Sequence, residues 1–267
     1  MKKALTFIIP VRHQDNAKDW EKLKSNLSST ARSIAAQKNP DWKGIVVANH
    51  GADLPPLPPG FDVKRVDFPP NQLHEQGKAD KELFYEAFRI DKGRRVLAGM
   101  LHAGPMQHVM IVDDDDFVSN ALAGHAAANP QANGWFIRDG YVWGEGTNYL
   151  YEFSDFSKLC GSCYVIRADL YQLPEKFEDA SEDYKKKMLG SHIMIRDHLE
   201  HNGTPLAPLP FVGAVYRVGH VGAHSQSTGV FQQYFPRWLL KRPVELLRRL
   251  SRLKYRSGAI RQQFFGG

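Results

Sequence analysis

Apolar positions along the chain fall into short continuous runs, separated by stretches with a helical repeat. Residues 4–11 (ALTFIIPV), 44–48 (GIVVA) and 108–112 (HVMIV) are continuous runs, the pattern of strands buried on both faces. Asp62–Phe68 alternates like a further strand, after a Pro-rich loop from Leu54 to Gly60. Between the first two runs, Trp20, Leu23, Leu27, Ala31 and Ile34 recur at three- and four-residue steps, which predicts an amphipathic helix. A second helix is expected over about Asp91 to His102. Strands alternating with helices predict an α/β fold built on a mainly parallel sheet with helices on both faces. Ligands in such sheets bind beyond the carboxyl ends of the strands. Four consecutive aspartates, Asp113 to Asp116, begin where the fourth of these strands ends.

The second half is less regular. Gly134–Ile137 and Cys163–Arg167 read as short strands, separated by an aromatic, glycine-rich segment from Gly140 to Gly146. A helix is expected near Ser181–His201 and a strand at Phe211–Val218. No internal repeat is present. The expected organisation is one domain over 1–236, in two halves of about 1–120 and about 121–236. A basic amphipathic tail covers 237–267.

Composition narrows the options. An apolar fraction of 42% over 267 residues supports a sizeable core. No run of about 18 uncharged apolar residues occurs, so no spanning helix is expected. The opening MKKALTFIIPVRH breaks at Pro10 and continues into charges, so it reads as a strand rather than a signal peptide, and a cytoplasmic location is expected. Cys160 and Cys163 form a lone C-x-x-C with no second pair to complete a zinc site, and are expected to be buried structural thiols. A net charge of +6 points to anionic partners or surroundings, and no nucleic-acid-binding module is visible.

The acidic run carries the most chemistry. Four adjacent carboxylates repel one another unless a cation or hydrogen bonds offset them. In an extended segment Asp113 and Asp115 point to the same side, a D-x-D pair of hard oxygen ligands suited to Mg²⁺ or Mn²⁺. Such ions keep positions open for phosphate oxygens.

IIPVRH, VVANHGAD, DKGRRVLAGMLHA and HVMIVDDDDF, taken in order, resemble the nucleotide-binding half of GT-A glycosyltransferases, particularly of the family 2 type. The resemblance covers roughly residues 4–120, and more faintly 134–225. It implies a GT-A fold, a nucleotide-diphosphate-sugar donor with uridine as the usual base, a divalent cation, and a glycan or lipid-linked acceptor in surface polysaccharide synthesis. Carried over by motif, Pro10, Val11 and Arg12 would line the nucleotide pocket, with Asn49 and Asp53 near the base or ribose or else forming an ordinary turn. Asp113 and Asp114 would face the donor, and Asp113 and Asp115 the metal. One of Lys92, Arg94 and Arg95 would approach the diphosphate. Gly161 and Ser162 would line the sugar pocket. A late histidine, His220 or His224, would complete the metal shell.

The catalytic base is open between Asp183, from the pair Glu182-Asp183, and His192. By distance to Arg196 and Gly203, Ser191-His192 stands where the resembling family places an acidic pair. Trp135, Tyr141 and Trp143 read either as sugar platforms or as core. Two other functions fit the same residues: a metal-dependent nucleotidyl- or phosphotransferase, and a non-catalytic module that binds cations or a lipid surface. In the tail, Leu246, Leu247, Leu250 and Leu253 share one helical arc and Arg248, Arg249, Arg252 and Arg256 the other. That pattern fits either a docked helix or peripheral binding to an anionic membrane at its inner face.

Overall fold

In a computed structural model, residues 2–73, 80–219 and 230–267 are described. The first half supplies β1 (Lys3–Pro10), α1 (Trp20–Ala35), β2 (Trp42–Asn49), β3 (Phe61–Val66), α2 (Lys81–Ala103) and β4 (Met106–Ile111). There follow β5 (Phe117–Val118), α3 (Leu122–Ala128), β6 (Gly134–Phe136), β7 (Asp139–Gly144), β8 (Tyr149–Ser154) and β9 (Tyr164–Arg167). The last third holds α4 (Glu182–Tyr184), α5 (His192–His201), β10 (Ala207–Pro208), β11 (Ala214–Val218), α6 (Val230–Tyr234), α7 (Pro243–Ser251) and β12 (Leu253–Tyr255).

Seven strands form the main sheet in the order β10-β6-β9-β4-β1-β2-β3. β1 pairs in parallel with both β2 and β4, and β2 with β3. Only β9 runs against its neighbours, so the sheet is mainly parallel, as the continuous apolar runs require. The chain steps from β1 to β2 to β3 in one direction and then returns past β1 to β4. Right-handed crossovers therefore place α1 and α2 on opposite faces. The reversal falls between β1 and β4, which makes the carboxyl ends of these two strands the natural crevice. The core beneath is filled by Phe7, Ile8, Ile9, Val46, Val47, Val109 and Met110, all essentially buried.

A second sheet, absent from the sequence reading, has the order β12-β8-β7-β11-β5. The aromatic, glycine-rich segment, to which no element was assigned, forms its central strand, β7. Two further departures concern helices. α2 begins ten residues before the expected start, capped by the Asp80 carboxylate on the Glu82 and Leu83 N–H groups. The expected helix over Ser181–His201 is broken: a π-turn at Lys185–Leu189 ends at Gly190, and α5 restarts under a Ser191 cap.

The break follows from backbone packing. A Cβ at Gly190 would lie 1.9 Å from the Arg89 carbonyl oxygen, and one at Gly93 only 2.1 Å from that of Lys185. Two main chains thus touch where any side chain would hold them apart, and α2 is fixed against the segment that leads into His192. Gly190→Ala is expected to destabilise the protein by roughly 1–3 kcal/mol, as overpacking does. A urea midpoint unchanged from the parent would refute this.

The tail is part of the fold rather than an appendage. β12 pairs with β8, Phe264 is buried against Tyr141, and the Gln263 carbonyl accepts from the Asn120 N–H at 2.9 Å. The expected boundary at residue 237 therefore cuts through the second sheet. Among the described residues, no helix is long and apolar enough to cross a membrane.

Candidate active site

The crevice between β1 and β4 opens into a cavity walled by Pro10, Arg12, Phe88, Asp91, Lys92, Arg95, Asp113, Asp114, Asp115, Tyr216 and Arg217. Three elements of the main sheet and one strand of the second thus converge. Four cationic and four anionic side chains line one space, which suits a ligand that is itself strongly charged.

The acidic loop owes its shape to Asp116, which the D-x-D reading left without a role. Asp116 is fully buried and accepts from the Ser162 hydroxyl at 2.6 Å, the Cys160 thiol at 3.1 Å and the Arg217 N–H at 3.3 Å. Burial, then the charges of Asp115 and Asp113, push its carboxyl well above the usual range. The Thr30 hydroxyl lies 3.1 Å from the Asp114 carbonyl and 2.8 Å from that of Asp116, fastening the turn to α1. With Asp116 turned inward, Asp113 and Asp115 face the cavity. Asp114, largely buried, also reaches its wall.

Lys92 forms an ion pair with Asp113. Burial opposes its charge, but the carboxylates of Asp113 and Asp116 and the Cys160 thiol outweigh that, so its pKa is raised and it stays protonated. Arg95 is 1% exposed and held on three sides: bidentate to Asp91 at 3.0 and 3.2 Å, to Asn49 Oδ1 at 2.7 Å, and over the Phe68 ring. Arg217, which no motif pointed to, is buried on β11. Its Nη2 donates to Glu145 at 2.7 Å, and the guanidinium lies over Phe117 and Trp143. Its Nε and Nη1 have no hydrogen-bond partner among the described residues. An arginine inside the apolar strand AVYRV was the available signal.

A smaller cavity adjoins the first at Lys92. Its walls are mainly apolar, from Ile111, Ile166, Tyr171, Met188, Leu189 and Ile195, with Gly161 and His192 at the same space. His192 Nε2 is buried without a hydrogen-bond partner among the described residues. Burial, and then the charge of Lys92, lower the His192 pKa to about 4, so its ring is neutral at ordinary pH. A Cβ on Gly161 would sit 2.7 Å from Asp113 Oδ2 and 3.1 Å from Lys92 Nζ, so this glycine leaves room for the ion pair.

Several expected residues lie elsewhere. Val11 is buried in the core, its N–H bonded to the Val47 carbonyl, so Pro10 and Arg12 alone of that trio reach the cavity. Asn49 is buried and spends its side chain on Arg95 and the Phe68 carbonyl; it positions an arginine and does not line the space. Asp53 is exposed and paired with Lys24. Arg94 points away to Glu182 at 3.1 Å. Asp183 is exposed and paired with Lys187 at 2.9 Å, which removes it from either cavity and leaves His192 as the candidate base. Ser162 is fully buried and donates to Asp116 while accepting from the Asp113 N–H, so it shapes the loop and not the sugar pocket. Trp135, Tyr141 and Trp143 pack against His125, Phe264 and Phe117, as core rather than platforms. Both cysteines are buried free thiols with pKa values raised by burial. His220 and His224 lie outside the described residues.

For a metal, the available donors are the carboxylates of Asp113, Asp114 and Asp115. Among the described residues no group of three or more His, Cys, Asp or Glu is arranged to hold an ion. The hard-oxygen set fits Mg²⁺ or Mn²⁺ bound by one or two aspartates, the remaining positions falling to ligand phosphate and water.

No family model matches the sequence, and no curated protein matches it significantly. Solved structures are similar in part. A 1–349 fragment of S. aureus TarS is 14% identical with a TM-score of 0.40, over 81% of this chain and 60% of that one. Its complex with UDP-GlcNAc is also 14% identical, with a TM-score of 0.43 over 93% of this chain and 67% of that one. A manganese complex of a Mycobacterium tuberculosis protein is 10% identical with a TM-score of 0.38, over 81% and 92% of the two chains. This chain thus spans 60% of the length of the first TarS fragment.

Proposed function

We propose that this protein is a glycosyltransferase of the GT-A arrangement that transfers a sugar from a nucleoside-diphosphate donor, uridine-linked on the motif resemblance, to a hydroxyl of a glycan or lipid-linked acceptor. The observation that carries this reading is the pairing of two adjoining cavities at the β1/β4 crevice. One is rich in paired charge, and the other is smaller and largely apolar. A diphosphate needs the first, with cations to hold it, and the apolar second adjoins it on the side where the sugar would lie. A nucleotidyltransferase acting on a sugar phosphate would also use a second pocket, so the released product separates the two readings.

The chain's own groups divide the work. Arg12, Lys92, Arg95 and Arg217 surround the diphosphate, and Phe88 and Tyr216 supply apolar wall for the base. Asp113 and Asp115 would hold Mg²⁺ or Mn²⁺, which when bound neutralises charge growing on the leaving diphosphate. As the acceptor oxygen bonds to the anomeric carbon and the bond to the diphosphate breaks, the acceptor proton passes to His192 Nε2. A ring with a pKa of about 4 matches a carboxylate in basicity, so it can do the task a carboxylate does elsewhere.

The test is a panel of nucleotide sugars with Mn²⁺, scored for release of nucleoside diphosphate and for thermal stabilisation. Release of pyrophosphate or inorganic phosphate in place of nucleoside diphosphate would favour the nucleotidyl- or phosphotransferase. Gly161→Ala provides a finer check. The groups its Cβ would meet are flexible side-chain ends, so the melting temperature of the free protein should hold while the stabilisation by donor and Mn²⁺ falls. Equal stabilisation of variant and parent would detach the Asp113–Lys92 pair from donor binding.

A further inference from the structure

The charge of this protein is strongly segregated. Residues 230–267 contain nine of the 35 Lys and Arg but only one of the 29 acidic residues, Glu245, so the rest of the chain carries a net −2. The same segment holds most of the large apolar side chains left in water: Phe231, Trp238, Leu240, Val244, Leu247, Leu250 and Tyr255. Leu240, Val244 and Leu247 are 75%, 80% and 67% exposed, well beyond an ordinary scattering of surface leucines.

Geometry explains why they face outward. α7 is fastened by one side: Arg249 donates to the Tyr234 carbonyl at 2.8 Å and pairs with Glu245, while Leu246 is half-buried. Tyr234 is in turn stacked on Tyr151 of β8, with ring centroids 4.2 Å apart. At 100° per residue this leaves Val244 and Leu247 on the opposite side, with Arg248 beside them and Leu250 at the edge. α7 has no buried residue at all. The sequence reading grouped Leu246 and Leu253 with this stripe; both are half-buried against the domain instead. Trp238 is half-exposed between Arg242 and Arg249, whose guanidinium groups lie 5.6 and 5.5 Å from its ring.

We propose that this face, centred on Leu240, Val244 and Leu247 and flanked by Lys241, Arg242, Arg248 and Arg252, docks on an anionic lipid bilayer. An apolar stripe with basic side chains beside it, and an indole at its edge, is the arrangement that satisfies both layers of a bilayer surface: acyl chains take the stripe and headgroup phosphates take the arginines. A nucleic acid would use the charges and leave the stripe in water. The inference does not depend on the donor chemistry assigned above.

Co-sedimentation of the full chain with phosphatidylcholine vesicles, with and without phosphatidylglycerol, tests it. The parent should pellet only with the anionic vesicles, release with rising salt, and show a blue shift of tryptophan emission that Trp238→Phe reduces. Lys241→Gln/Arg248→Gln/Arg252→Gln should weaken partitioning roughly 100-fold, because each basic residue near the surface contributes about fivefold. Leu240→Ser/Val244→Ser/Leu247→Ser should weaken it too, with melting temperatures held in both variants because every altered side chain is exposed or half-exposed. Three results would overturn the proposal: pelleting equal to the parent in both variants, binding indifferent to phosphatidylglycerol, or no vesicle binding with a parent dimer that the serine variant dissolves.

Discussion

Asp115→Ala should leave a folded protein that has lost its divalent-cation dependence and nearly all transfer, a fall of roughly 10²–10³-fold or more in kcat. Asp115 is half-buried at the cavity wall, whereas the buried hydrogen bonds that fix the loop run to Asp116, so removal of the Asp115 carboxylate is expected to cost the fold less. The contrast is Asp116→Ala, two side chains deep. That change strips partners from the Ser162 hydroxyl, the Cys160 thiol and the Arg217 N–H, and should cost about 1–3 kcal/mol of stability. Calorimetric Mn²⁺ titration in the presence of nucleotide, beside thermal melts of both variants, separates the two roles. Mn²⁺-stimulated turnover persisting in Asp115→Ala, or full activity of the parent in chelator, would end the metal assignment.

The second large effect is expected at His192. His192→Ala should lower kcat by roughly 10²–10⁴-fold, the range for loss of a positioned base, with a much smaller change in the donor KM. Its acid–base behaviour gives an independent handle. Burial and then Lys92 place the folded-state pKa at about 4, below the ordinary 6.5. The unfolded chain therefore takes up the proton first as pH falls. Stability from the neutral ring is complete above about pH 6.5 and drains away as pH drops towards 4, by about 3 kcal/mol in all. His192→Ala should flatten this part of the stability–pH curve, and the acid limb of kcat should lie near pH 4 in the parent. A parent profile whose acid limb stays near 6.5 would show that the ring is not held as described.

Much of the main sheet was legible because its strands are buried on both faces. β1, β2 and β4 stand out as unbroken apolar runs, and from their order the crevice and the acidic loop followed. The second sheet was not, because β7 and β8 mix tyrosine, glycine and charge, and their two faces are covered by residues from much later in the chain: Val142 and Tyr151 pack with Val230 and Tyr234 on one face, Trp143 and Leu150 lie on the other. Their burial is decided by Phe264 and Phe265, more than a hundred residues further along the chain. The start of α2 was hidden by a first turn that is largely exposed, where no apolar stripe forms. Within the site, local motifs found Pro10, Arg12, Lys92, Arg95 and the aspartates. They could not tell Arg94 from Arg95, since the difference is whether Asn49 and Asp91 wait on the inner side. Arg217 and Glu145 were missed for the same reason: their partnership spans 72 residues and two strands.

Synthesis proceeds from one end, and the second sheet crosses that order. β5 follows directly on the acidic loop, yet the neighbouring Asn120 side chain bonds to the Gln262 carbonyl, 142 residues later. At 5–20 residues per second a ribosome needs roughly 7–28 s to make that interval. For the first part of it, until β11 is made, β5 has no strand to pair with and the buried contact between Asp116 and the Arg217 N–H is missing. The crevice between β1 and β4 can form early from the first 112 residues, whereas Arg217 and the wall behind it arrive late. The wall of the crevice is thus completed late: a nascent chain carries the aspartates with the early cations Arg12, Lys92 and Arg95 but without Arg217.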